Sequence, residues 1–201
     1  MKRADWHIHT HFSDGYASPA ETVAAAARLG LGRIAITDHD GIDGCLEFLS
    51  RHPDAPDFLM GEEVEPRREL LLQADQRRAK IKIDFVVRLG GRIGMVVRFG
   101  PGSLVSRERP TLAVSRLVAD YQVPIAVVTN GEDAEILAGG SGKVVGRGLE
   151  AIPSRTELLL AMQAHSFERM ARQRAVMESR VAYCYEVDGA CPCDDTICRL
   201  S

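Results

Sequence analysis

The chain opens on an alternating run of apolar and polar residues. From Asp5 to His11, Trp6, Ile8 and Thr10 would face one way, and Asp5, His7, His9 and His11 the other, because successive side chains of a strand leave on opposite faces. Ser18-Pro19-Ala20-Glu21 then carries helix-start signals: an N-cap serine, a proline in the first turn and a glutamate placed to close a capping box. Thr22–Leu29 is a run of strong helix formers, and Gly30 stops it. Arg33–Thr37 reads as a short buried strand. Strand, helix and strand at this spacing predict a parallel crossover unit. A helix over 42–52 and a short strand over 58–60 continue the pattern.

From Pro66 the pattern changes. Residues 68–75 read as a strand or a short helix. Ala79–Arg88 alternates and reads as a strand, Gly90-Gly91 as a tight turn, and Arg92–Phe99 as the returning strand. A helix is expected over Arg109–Tyr121, with Leu112, Val114, Leu117 and Val118 apolar. Pro124–Asn130 is another buried strand, and Glu135–Leu137 and Lys143–Gly146 flank a glycine-rich hairpin. A long helix is predicted from Ser154 to about Ser179. The fold class is α/β. The change of style divides the chain into an N-terminal βαβ region at 1–66, an α/β domain at 67–183 and a cysteine-bearing tail at 184–201.

Composition narrows the setting. The chain has 201 residues, 45% of them apolar and 26% charged, as in soluble globular proteins. No apolar run approaches the roughly 20 residues of a membrane span. No apolar segment follows the basic start, so a cytoplasmic, reducing setting is expected, with no disulfides. The net charge of −3 hides an asymmetry. Residues 1–66 hold 5 Lys/Arg against 12 Asp/Glu, whereas residues 67–183 hold 19 against 12. An acidic front suits divalent cations, and a basic middle suits phosphate backbones; ordinary surface charge is the plainer reading.

Candidate chemistry concentrates near the N-terminus. His7 and His9 share a strand face, and Asp14 follows where Ser13-Asp14-Gly15 loosens the backbone. Two imidazoles and a carboxylate converging at a strand end make a ready metal site; the alternative is a polar strand edge with solvated histidines. Asp38-His39-Asp40 follows the second strand, and Gly61-Glu62-Glu63 the third. In parallel α/β architectures sites gather at this rim.

With these motifs in this order, residues 5–65 resemble the opening of the polymerase and histidinol phosphatase (PHP) superfamily of metal-dependent phosphoesterases. The resemblance implies that His7, His9, Asp14, His39 and Glu63 are metal ligands, with Glu63 the bridging carboxylate. It makes Asp40 or Asp38 partners of the ligands or the leaving group, and gives Asp40 and Glu63 catalytic roles. The cofactor implied is a cluster of zinc, manganese or iron that activates a water to attack phosphorus. The family also implies a distorted β/α barrel with further histidines and an Asp-x-His in its second half. After Glu65 this chain offers only His165, so the ligand set is incomplete.

Residues from about 67 to 160 resemble the restriction-endonuclease-like N-terminal domain of type I restriction enzyme R subunits, best over Val127–Leu137. That resemblance implies a magnesium site at Asp84 and at a Glu-x-Lys, here Val96-Val97-Arg98. With the Glu gone and the Lys replaced by Arg98, the nuclease positions are degenerate, because a hard cation needs several oxygen ligands and arginine does not replace lysine in proton handling. Arg77, Arg78, Lys80, Lys82, Arg88, Arg92, Arg98, Arg107 and Arg109 lie on or near the hairpin; they fit nucleic-acid binding or a charged sheet edge.

In the tail, Cys184, Cys191, Cys193 and Cys198 predict a second metal site, zinc or an iron–sulfur cluster, or free thiols. Two functions follow. The first is a metal-dependent phosphoesterase acting on a phosphorylated small molecule or a nucleic-acid phosphodiester. The second is a catalytically inactive nucleic-acid-binding module.

Overall fold

Strand β1 (Arg3–Ile8) and strand β2 (Leu31–Ile36) lie side by side and parallel, in a computed structural model that describes residues 3–36, 63–100, 102–189 and 197–200. Helix α1 (Pro19–Arg28) connects them. The Ser18 hydroxyl accepts from the Glu21 N–H, and the Glu21 carboxylate accepts from the Ser18 N–H, which closes the capping box the sequence predicts. Because the Ser18 backbone and hydroxyl donors bind the charged form, they hold the Glu21 carboxyl below its ordinary range. The expected helix over 42–52 and strand over 58–60 lie outside the described residues.

The remaining strands build one open, mixed sheet in the order β3-β4-β5-β6-β7-β8, with β9 added against β4. They are β3 (Val64–Ala74), β4 (Arg77–Leu89), β5 (Arg92–Phe99), β6 (Ile125–Thr129), β7 (Ala134–Ala138), β8 (Val144–Arg147) and β9 (Ile197–Leu200). Residues 68–74 are therefore strand, not helix, and the chain turns through Asp75, with a φ of 56°, into β4. Gly90 and Gly91 make the next turn with φ of 55° and 78°, a conformation that costs glycine least. β5 runs over the predicted residues. Helix α2 (Val105–Ser115) crosses to β6, which pairs parallel with β5.

Two helical predictions shift. The helix expected over Arg109–Tyr121 begins earlier and ends at Ser115, because Arg116 turns inward. Its guanidinium donates to the Gly139 and Gly140 carbonyls at 3.0 and 3.1 Å. The long helix breaks into α3 (Arg155–Gln163) and α4 (Arg172–Tyr183). Tertiary contacts hold the break open. His165 Nε2 lies 2.8 Å from the Gln122 carbonyl, the Gln122 N–H donates to the Glu168 carbonyl, and Phe167, at φ 52°, packs edge-on against Tyr121 and His165.

Burial on both faces of the sheet explains the layers. One face brings Ala79, Ile81, Ile83 and Val96 against Val114 of α2 and Ala182 and Tyr183 of α4. The other brings Leu89, Met95 and Val127 against Ile152 and against Leu158 and Met162 of α3. Apolar area removed from water contributes roughly 25 cal/mol per Å², so strands buried on both faces dominate the core. The described strands thus form a two-stranded parallel unit and an open sheet with helices on both sides. That is a mixed α/β arrangement, and among the described residues it is not a closed barrel. No described helix is long and apolar enough to cross a membrane.

The sheet carries one acid pair. Glu135 on β7 is buried, and one of its oxygens takes the Arg147 Nε donor at 3.0 Å. Its other oxygen, Oε2, is buried without an N–H donor, and a side-chain hydrogen bond links Glu135 to Glu108 on α2. That hydrogen bond, with burial and the Glu135 charge behind it, raises the Glu108 pKa above its ordinary 4.5. Arg147 opposes the shift. A carboxyl whose pKa is raised in the fold contributes stability at low pH, and this contribution is lost as pH rises through the raised folded pKa. We expect thermal melts between about pH 4 and about pH 8 to show wild type losing stability against Glu108→Gln, whose amide donates at every pH. Parallel profiles for the two proteins would refute the shared proton.

Candidate metal centre

The end of β1 folds back on itself. The strand stops at Ile8, so His9 sits just beyond it rather than on its face. Thr10, which is fully buried, anchors the turn: its carbonyl accepts from the N–H groups of Ser13 and Gly15, each at 3.0 Å. The His11 N–H donates to the Ala17 carbonyl at 2.9 Å. Gly15 is required here, because a Cβ at that position would lie on the carbonyl group of His9. The Ser-Asp-Gly motif therefore brings Asp14 back over the strand end.

There the Asp14 carboxylate contacts Nδ1 of the His9 imidazole. The His9 ring is largely buried and the Asp14 carboxylate is largely exposed. Ser13 Oγ lies 3.4 Å from the same Asp14 oxygen. His7 lies on β1, and His11 is exposed beside Phe12. Asp38, His39 and Asp40 lie outside the described residues.

Glu63 is placed differently from the expectation. It immediately precedes β3 and is buried. Its carboxylate takes three short contacts from Arg155: Nε at 2.9 and 3.0 Å and Nη2 at 2.8 Å. Arg155 opens α3, where Ser154 and Glu157 form a second capping box. The turn at 149–151, just before α3, packs on β1. Glu63 and Arg155 thus join the start of the large sheet to the segment that touches the small one. Arg155 lies 92 residues away in sequence, and no local motif announces it as a partner.

As a metal site the donors fit in part. An imidazole held by a carboxylate at a strand end is the type of ligand that divalent metals take. Glu63 does not fit as drawn from the resemblance, because a guanidinium engages both its oxygens. Among the described residues, no group of three or more His, Cys, Asp or Glu is placed to hold a metal ion.

The degenerate nuclease positions do meet. Arg98 Nε donates to Asp84 at 2.9 Å and its Nη2 to Glu186 at 2.7 Å, and the Phe99 N–H also donates to Asp84. Asp84 therefore faces a resident cation. Glu186, from the π-helical turn after α4, has no signal in the sequence that marks it. Most of the hairpin cations are likewise paired: Arg77 with Asp188, Lys80 with Glu69, Arg88 with Glu65 and Arg109 with Glu178. In the tail, Cys184 is exposed and Cys198 lies on β9 opposite Lys80, while Cys191 and Cys193 lie outside the described residues.

Known proteins resemble this chain over a short stretch and over a long one. The error-prone DNA polymerases of Mycobacterium tuberculosis (strain ATCC 25618 / H37Rv) and Nocardia farcinica (strain IFM 10152) are each 49% identical over 47 residues, 22% of this chain and 4% of theirs. The same identity and coverage hold for that of Mycolicibacterium paratuberculosis (strain ATCC BAA-968 / K-10). The chain therefore matches only a small fraction of the length of these curated relatives. No solved structure matches. The restriction-endonuclease-like resemblance finds no support in the comparisons. The PHP domain model matches residues 5–171, most of the chain, and the chain belongs to the PHP domain family.

Proposed function

We propose that this protein is a metal-dependent phosphoesterase whose centre lies at the C-terminal end of β1. The single observation that carries the reading is the contact between His9 and Asp14 at that strand end, in a chain of the PHP domain family. His7, His9, Asp14 and His39 are the residues that would hold the metal, zinc, manganese or iron; Asp40 would serve the leaving group. A divalent metal so held supplies a water activated for attack on phosphorus. The chain's own part is to orient. Asp14 fixes the His9 ring through Nδ1, the way carboxylates set metal-ligating imidazoles, and Gly15 allows the loop to close that tightly. In this reading Glu63 is assigned to Arg155, and its catalytic and bridging roles are dropped. The substrate proposed is a phosphomonoester or a nucleic-acid phosphodiester.

A second reading, a catalytically inactive nucleic-acid-binding module of restriction-endonuclease-like type over about residues 67–160, is favoured by one observation. Arg98 sits between Asp84 and Glu186 where a magnesium site would need open carboxylates. Hydrolysis of a phosphoester that survives Asp84→Asn and disappears with His9→Ala separates the two.

Metal analysis of the purified full chain tests the first reading. We expect His9→Ala to lose bound metal and Asp14→Asn, which removes a metal ligand as well as the orienting contact, to weaken its affinity by more than the roughly 100-fold that an orienting carboxylate alone can cost. Equal metal content in wild type and His9→Ala would end the proposal. Glu63→Gln and Arg155→Gln are expected to leave metal content unchanged. Each should lower stability by about 1–3 kcal/mol in denaturant melts, since each leaves a charged partner unsatisfied. Loss of metal in Glu63→Gln without loss of stability would return that residue to the ligand set.

A further inference from the structure

Three arginines converge on one buried carboxylate where α2 packs against α4. Arg109 Nη1 donates to Glu178 at 2.6 Å, and Arg116 Nη1 donates to its other oxygen at 2.8 Å. The Arg174 guanidinium lies 3.7 Å from Glu178, one helical turn away on α4. Glu178 and Arg116 are interior, with side-chain exposures of 3% and 5%. Arg109 and Arg174 are open to solvent at 44% and 46%. Three guanidinium charges therefore meet a single carboxylate charge, and the excess sits on the two outer arginines. Burial pushes the Arg116 pKa down; Glu178 opposes this, and the proximity of Arg174 and Arg109 adds to it.

We propose that Arg109 and Arg174 form a binding site for a phosphate-type oxyanion, seated outside the buried Arg116–Glu178 pair. The charge of the glutamate is offset for such a ligand, because its two oxygens are engaged by Arg109 and Arg116. The glutamate serves to hold Arg109 in place, so that little conformational freedom is lost when an anion arrives. Arg174 engages Glu178 only at ion-pair range and keeps its planar fork for a second partner, the geometry that suits phosphate oxygens. Arg116 is already spent on Glu178 and on the carbonyls of Gly139 and Gly140. The ligand chemistry is a phosphate group, carried by a phosphorylated small molecule or by a nucleic-acid backbone.

The test uses the full chain and the double variant Arg109→Gln/Arg174→Gln, which leaves the Arg116–Glu178 pair intact. Inorganic phosphate, pyrophosphate and a fluorescein-labelled single-stranded oligonucleotide are the probes, read by thermal shift and by anisotropy. We expect wild type to be stabilised by at least one probe, and the double variant to bind that probe about tenfold more weakly or worse, as the loss of two charge-assisted contacts demands. A loss confined to pyrophosphate and phosphate assigns the site to small molecules, and a loss confined to the oligonucleotide assigns it to a nucleic-acid backbone. Equal responses of wild type and variant, or no response of wild type to any probe, would overturn the proposal. The site shares no residue with the proposed metal centre. In a His9→Ala background the difference between paired and neutralised arginines should persist, so failure of the phosphoesterase reading and failure of this one are read separately.

Discussion

A carboxylate taken out of water needs a cation, and at Glu63 that cation is Arg155. Burial of an unpaired charge costs several kcal/mol or shifts the group to its neutral form. Glu63 is buried, so its position is tied to whichever cation reaches it. Three contacts of 2.8 to 3.0 Å show which one does. The consequence runs both ways along the chain. Arg155 opens α3, whose Leu158 and Met162 cover one face of the large sheet. Glu63 leads into β3, and the turn ahead of α3 touches β1. One ion pair thereby ties the edge of the large sheet to its covering helix, next to the turn that touches the small parallel unit. The same pair bears on the chemistry, because a guanidinium engages both oxygens of the carboxylate that the resemblance makes a metal ligand.

The middle of the chain repeats this logic at its excess of positive charge. Arg98 answers Asp84 and Glu186, and Arg116 answers Glu178, each within the folded interior or at its margin. These pairs join elements far apart in sequence: 88 residues separate Arg98 from Glu186, and 62 separate Arg116 from Glu178. Five of the nine cations on or near the hairpin thus meet a carboxylate of the same chain. Arg77, Lys80 and Arg88 each meet a carboxylate at the rim, where exposed pairs contribute little. Arg174 differs, since it stands at a carboxylate that two other arginines have already satisfied.

What the sequence made legible was local. The capping box at Ser18 and Glu21, the paired glycines at 90 and 91 and the returning strand over 92–99 are decided by residues within a few positions of one another, and each appears as read. Ser13-Asp14-Gly15 belongs with them: the turn that carries Asp14 onto His9 runs only from Thr10 to Gly15 and depends on a missing Cβ. The break between α3 and α4 could not be read this way. Residues 164–171 carry no proline or glycine, and helical propensity runs through them. The break is imposed from outside, by the Gln122 carbonyl on His165 and by Tyr121 on Phe167. The early end of α2 has the same origin in the carbonyls that draw Arg116 inward.

The candidate centre divides along this line. Its His9–Asp14 half rests on a strand end and a tight turn, both local, so the residue pattern carries enough to place it. Its Glu63 half rests on where a buried carboxylate finds its counter-charge, which depends on a helix start 92 residues downstream. A motif lists residue types and spacings, and it is silent about competing cations. A ligand set inferred from spacing is therefore strongest for residues held by their own neighbours. It is weakest for carboxylates buried at the junction of two elements, because there an arginine from another part of the chain satisfies the same charge that a metal would.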